Sequence, residues 1–222
     1  TSQPRMILLV VAQALCVGTT AICARRKGAN DQRGANACLN QSMAIITALG
    51  LLMTLAGYFG AEWLMKLAGA NEDTLEISVS YFKIISLGLL FNCWSLCICA
   101  AMRAMGKTRI TMVTNITANL VNVCLNYVLI NGKFGFPRLG VRGAAIATVC
   151  GTFVSCLMAF RFACHKDGYY HLGLPRFDRT TLQSLGSVGS GSVLESACLR
   201  IGFFITAKMV AGAGTAVFAA YQ

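Results

Sequence analysis

Four asparagines pose the chemical question in this chain. Asn115, Asn119, Asn122 and Asn126 recur at spacings of 4, 3 and 4 inside the apolar run TRITMVTNITANLVNVCLN. At ~100° per residue they fall within an arc of roughly 60° on one helix face, and Thr108 and Thr111 extend the same stripe. Hydrocarbon offers an amide no partner, so the stripe must face protein or water. Two readings stay open. The amides can bond across a packed bundle, or they can wall a solute pathway, which the length of the stripe favours.

A second polar stripe lies nearer the start. Asn36, Asn40, Thr47 and Thr54 fall within about 40° of one another on a helical wheel. Two such stripes point to a shared, hydrated interior. Towards the other end stands Glu195, the only carboxylate inside any expected span, with Arg200 five residues on. Burying either charge costs at least ~2.5–3.5 kcal/mol at mid-membrane. They lie about 140° apart, so they are no local pair. Gly191, Ser192, Cys198, Gly202 and Thr206 share the face of Glu195, a small and polar side suited to a cleft. A structural hydrogen bond for Glu195 and a snorkelling or packing role for Arg200 are the plainer alternatives.

Cys164, His165, Asp167 and His171 invite a metal, but their spacing matches no standard zinc pattern. Basic and aromatic residues at a headgroup surface explain that joint more simply, and no metal site is expected. The eleven cysteines lie mostly within apolar stretches, where they act as small, soft packing residues.

Composition decides which elements can position these groups. Of 222 residues, 56% are hydrophobic and only 12% charged, and the mean hydropathy is +0.63. Apolar stretches of about 20 residues recur between short polar joints, as in a polytopic helical membrane protein. Spans are expected near 3–24, 36–60, 77–101, 109–131, 140–163 and 182–211, giving an all-α bundle with no room for a large soluble domain.

The net charge of +11 does not imply nucleic acid, because its distribution is that of a topology signal. Arg25, Arg26, Lys27 and Arg33, then Arg103, Lys107 and Arg109, then Arg161, Lys166, Arg176 and Arg179 fill alternate joints, eleven of the 19 basic residues. The opposite joints hold Glu62, Glu72, Asp73 and Glu76 with few cations. Short basic loops stay cytoplasmic, so the first span starts outside. Basic joints also attract anionic headgroups, which makes membrane lipid an expected partner. The chain begins at Thr1 without an initiator methionine and stops after AGAGTAVFAAYQ, where an apolar helix is about to start. A piece of a longer protein is expected.

Three strings resemble the multidrug and toxic compound extrusion (MATE) family of cation-coupled antiporters. The strongest is AMRAMGKTRITMVTNITANLVNVCLNYVLINGKFGFPRLGVRGAAIATV, similar to that family's link from the fourth to the sixth helix. ARRKGANDQRGA resembles the basic turn after its second helix, and MVAGAGTAVFAAYQ the passage from its seventh helix to its eighth. The resemblance implies a partial MATE-like bundle of the MOP superfamily, covering helices two to seven. Residues 1–165 would be helices of a first lobe, 166–181 a cytoplasmic inter-lobe linker, and 182–222 the first helix of a second lobe with the start of the next.

On that resemblance the protein is no enzyme. It would export organic cations or drugs by alternating access, driven by a proton or sodium ion, with no cofactor beyond that ion. Glu195 would couple the ion, and Asn115, Asn119, Asn122, Asn126, Asn36, Asn40, Thr47 and Arg200 would line the cleft. The setting would be the plasma (inner) membrane, with the full-length protein a monomer. A flippase for lipid-linked saccharides is the nearest rival, but its cleft should present several Arg or Lys to pyrophosphate. The spans offer only Arg200, Lys208 and the marginal Lys83. A membrane-embedded enzyme would need a nucleophile and base, or metal ligands, at one depth, and only the Cys164–His171 joint has candidates.

Overall fold

A computed structural model describes residues 2–67, 72–132, 139–164 and 178–212. They form eight helices: α1 (Ser2–Gly28), α2 (Gln32–Phe59), α3 (Ala61–Leu67), α4 (Glu72–Leu87), α5 (Leu89–Ala104), α6 (Thr108–Asn131), α7 (Gly140–Ala163) and α8 (Arg179–Gly212). Four of them are long and apolar enough to cross a bilayer: Leu9–Gly28 of α1, then α2, α6 and α7. The fold is that of a polytopic helical membrane protein.

The turns follow from local chemistry. Arg25, Arg26 and Lys27 close the last turn of α1, where cations suit the negative helix end. Asn30 takes a left-handed φ of 58°, and the Asp31 side chain then caps α2 by accepting from the Gly34 N–H at 2.9 Å. Gly106, at φ 75°, lets the chain leave α5 and start α6 two residues later.

The third expected span, 77–101, is corrected to two helices bent by 45° at Gly88. A Cβ at Gly88 would sit 3.0 Å from Val149 Cγ2 and 3.3 Å from the Ile85 carbonyl oxygen. The break lets the chain press against α7 there. The Gly88 N–H bonds the Ile85 carbonyl at 2.9 Å, a tighter turn than an α-helix makes. The last expected span, 182–211, forms a helix within α8. Its first half, LQSLGSVGSGSVLES, is mostly serine and glycine at the non-apolar positions.

Lipid gives helices no hydrophobic reason to associate, so close backbone contact and polar bonds must hold them. The main core gathers Leu39, Ile46, Cys93, Cys97, Ile98 and their neighbours from α1, α2 and α5. A smaller cluster of Ala61, Met65 and Phe82 pins α3 on α4. α6 stands at the edge and packs chiefly on α7. There a Cβ at Gly143 would meet the Leu129 carbonyl oxygen at 2.8 Å, and one at Gly151 the Ala118 carbonyl oxygen at 3.0 Å.

Candidate functional site

Three helices present polar faces to one another and leave a cavity of about 330 Å³. From α5 come Asn92, Ser95, Cys99 and Arg103, spaced 3, 4 and 4 along one face. α6 supplies Asn115, Asn119 and Asn122, and α7 supplies Thr148, Gly151, Thr152 and Ser155. The volume lies at the lower end of the range for small-molecule sites.

A hydrogen-bonded chain runs into the wall from Asn126, which is not itself among the lining residues. Asn126 Nδ2 donates to Asn122 Oδ1 at 2.8 Å, Asn122 Nδ2 donates to Thr148 Oγ1 at 3.3 Å, and Thr148 donates to the Ala144 carbonyl at 2.9 Å. Thr152 bonds the Val149 carbonyl at 2.8 Å, and Ser95 and Ser155 hydroxyls meet at 2.6 Å. Because Thr148 and Thr152 give their protons to their own helix, their oxygens remain acceptors. Asn126 Oδ1 is buried with no partner among the described residues. Leaving such an oxygen bare costs about 1–3 kcal/mol, so a water or a cation is its natural complement. Asn115 and Asn119 are exposed, Asn122 and Asn126 half-buried. Among the described residues no acid lines the cavity, and Arg103 is its one charged residue.

The stripe of α2 has a different fate. Thr47 accepts from Trp94 Nε1 at 2.8 Å and donates to the Met43 carbonyl at 2.6 Å. Asn36 and Asn40 are half-buried and have interactions of their own. None of the three lines the α5–α6–α7 cavity. Thr47 ties α2 to α5, and α2 packs chiefly on α1 and α5 rather than on α6. Conversely, Thr148, Gly151, Thr152 and Ser155 look in sequence like a packing face and line the cavity. The signal was available, since they keep the 3-and-4 spacing of the asparagine stripe opposite.

Glu195 sits exposed on α8 and is not among the cavity's lining residues. The Arg200 side chain lies outside the described residues, as do His165, Asp167 and His171, and Cys164 alone of that group is seen, exposed after α7. Where α8 starts it is tied to α1. Arg26 Nη2 donates to Thr181 Oγ1 at 2.6 Å and lies 3.8 Å from an Asp178 carboxylate oxygen, while Arg26 Nη1 bonds the Gly34 carbonyl. Gln41 Nε2 reaches the Asp178 carbonyl at 3.2 Å. The Thr180 hydroxyl, and then that of Thr181, hold the Asp178 carboxyl below its ordinary range by bonding its charged form. Lys27 bonds the Met105 carbonyl, so the ends of α1 and α5 and the start of α8 meet at one basic end of the bundle.

Helices with a polar cavity between them, and basic joints gathered at one end, define a polytopic helical membrane protein. A MatE family model matches residues 2–128, more than half of the chain. The chain belongs to the MatE family. It is 26% identical over 218 residues to a probable multidrug resistance protein NorM of Thermotoga maritima, covering 97% of this chain and 47% of that protein. A probable NorM of Synechocystis is 29% identical over 230 residues, at 98% and 48%. Among solved structures, one described as MATE in the bent conformation superposes with a TM-score of 0.88 at 26% identity, covering 97% of this chain and 48% of that one. The chain thus spans about half the length of the curated relatives it matches.

Proposed function

We propose that this chain forms the first lobe, and the first helix of the second, of a cation-coupled antiporter that exports organic cations across the plasma membrane. The observation that carries the reading is the cavity walled by Asn92, Asn119, Asn122, Thr148 and Thr152. Its neutral oxygens suit a desolvated proton carrier or sodium ion, and no cofactor beyond that transported ion is needed. The relatives' names, multidrug resistance proteins, support an organic solute as the other substrate.

In this reading an ion enters from outside and binds more tightly in one of two states, and that difference in affinity drives exchange. The Thr148 oxygen is an acceptor in the wall, and Oδ1 of Asn126, whose Nδ2 bonds Asn122 from behind, is a second. Glu195 supplies the ion-coupling carboxylate from the second lobe, and Arg200 takes an anionic partner there. Two lobes on either side of such sites are the arrangement in which rocking exchanges access.

The test is efflux of ethidium, a lipophilic cation, by the full-length protein in vesicles under a proton or sodium gradient. Asn122→Leu keeps the side-chain size but breaks the chain from Asn126 to Thr148. We expect gradient-driven efflux to fall at least about tenfold, which is about 1.4 kcal/mol of lost transition-state stabilisation. Glu195→Gln should abolish coupling while leaving ethidium binding intact. Normal transport by Asn122→Leu would remove the cavity from the pathway. Normal transport by Glu195→Gln would make Glu195 structural.

A further inference from the structure

A second groove, of about 480 Å³, runs between α1 and α8 at the basic end and takes no part in the reading above. Arg25, Gln183, Ser184 and Ser187 form its polar mouth, and Ala21, Ile22 and Val188 its apolar floor. The Arg25 guanidinium has no partner among the described residues, unlike neighbouring Arg26, which holds Thr181 and Asp178. Among the described residues no acid lines the groove.

Its position fixes the depth. Arg25 lies one turn before the end of α1, at the level where α1, α5 and α8 gather their basic joints. Ala21 and Val188 each lie a turn deeper into their helices. A cation with neutral donors above an apolar channel, at headgroup level, matches one chemistry: a phosphate diester carrying an acyl chain. A zwitterionic headgroup would ask for a carboxylate or an aromatic face for its ammonium, and the described lining residues include neither. A free phosphate would leave the apolar floor unused.

We propose that this groove is a binding site for an anionic phospholipid, with the phosphate on Arg25 and Gln183 and the acyl chain along Ala21, Ile22 and Val188. The lipid bridges α1 and α8 beside the Arg26–Thr181 contact, and so staples the last helix to the first. The site is separate from the cavity and from Glu195, so its failure leaves the transport reading untouched.

Native mass spectrometry of the full-length protein, reconstituted with phosphatidylglycerol or with phosphatidylcholine of the same acyl chains, tests it. We expect one phosphatidylglycerol retained roughly tenfold better than phosphatidylcholine, the scale of one charge-assisted contact. Arg25→Ala should lose that preference and Arg25→Lys should keep part of it. Ala21→Trp, which fills the floor without touching the charge, should also expel the lipid. Arg33→Ala, at an exposed arginine outside the groove, should change nothing. Full retention by Arg25→Ala or by Ala21→Trp overturns the proposal. Equal loss in Arg33→Ala overturns it in favour of diffuse surface charge, and complete displacement by millimolar inorganic phosphate in favour of a bare anion site. Should Arg25→Ala fail to fold, Arg25→Lys and Ala21→Trp still decide the matter.

Discussion

α2 and α6 carry the same kind of pattern and use it in opposite ways. Each has four polar side chains aligned within a narrow arc. On α2, Thr47 is bonded to Trp94 of α5, and its neighbour Ser42 is fully buried and accepts from Thr19 of α1 at 2.8 Å. On α6, Asn115 and Asn119 stay exposed and face the cavity, while Asn122 lines it and is bonded by Asn126 one turn on. The difference lies in what stands opposite. α2 is flanked by α1, α4 and α5, whereas α6 leans on α7, touches α5 only lightly, and leaves Met112, Ile116, Leu120 and Val123 at more than half exposure. An aligned stripe says that a helix needs polar company. It does not say whether the company is another helix or water.

The largest way to break the comparison is to open the seam that holds α6. A side chain at Gly143 meets the backbone oxygen of Leu129 at 2.8 Å, and backbone cannot swing aside as a side chain does. Gly143→Val should therefore destabilise by about 1–3 kcal/mol, the usual cost of overpacking, read as a lower thermal midpoint in detergent. The loss should be local to α6 and α7, so that Trp94 fluorescence in the α2–α5 contact changes little at temperatures below the transition. A Trp94 signal that moves in step would mean the two regions are one cooperative unit.

Accessibility sharpens it next. With the exposed Cys124, Cys164 and Cys198 replaced by serine, a cysteine at Asn119 and one at Thr47 lie near the middle of their helices. Asn119→Cys should react with a small water-soluble maleimide roughly tenfold faster than Thr47→Cys. That factor corresponds to about 1.4 kcal/mol of additional opening needed at the packed site. Equal rates would erase the distinction between the two stripes.

Much of this was legible in sequence, and what was not has a physical cause. The bounds of the helix pair α6 and α7 follow closely from the apolar runs, because span length is set by the bilayer and the ends by Gly132 and Gly106. The break at Gly88 was not legible, since ISLGLLFN is as apolar as an unbroken span and the reason for the bend is Val149, 61 positions away. The asparagine stripe was legible as polar and aligned. Its partners Asn92, Ser95, Thr148 and Thr152 became a wall only once the fold set α5 and α7 facing α6. Periodicity reports which face of a helix is polar, and tertiary packing decides what that face meets.

The smallest effect is also the cleanest discriminator, because it compares single side chains of similar polarity. Thr47→Val keeps the shape of the residue but removes the acceptor of the Trp94 indole N–H, at 2.8 Å and half-buried between α2 and α5. An indole donor left without a partner there costs about 1 kcal/mol, and bonds between membrane helices average nearer ~0.6 kcal/mol. Asn115→Ala removes a larger polar group, yet Asn115 is exposed and has no bond to lose among the described residues, so its cost should stay within about 0.5 kcal/mol. Denaturation in mixed micelles measures both, and Trp94→Phe closes the cycle. If Thr47 acts through the indole, the double variant should cost no more than either single change. A larger loss from Asn115→Ala than from Thr47→Val would reverse the roles given to the two stripes and make the asparagines of α6 the structural ones.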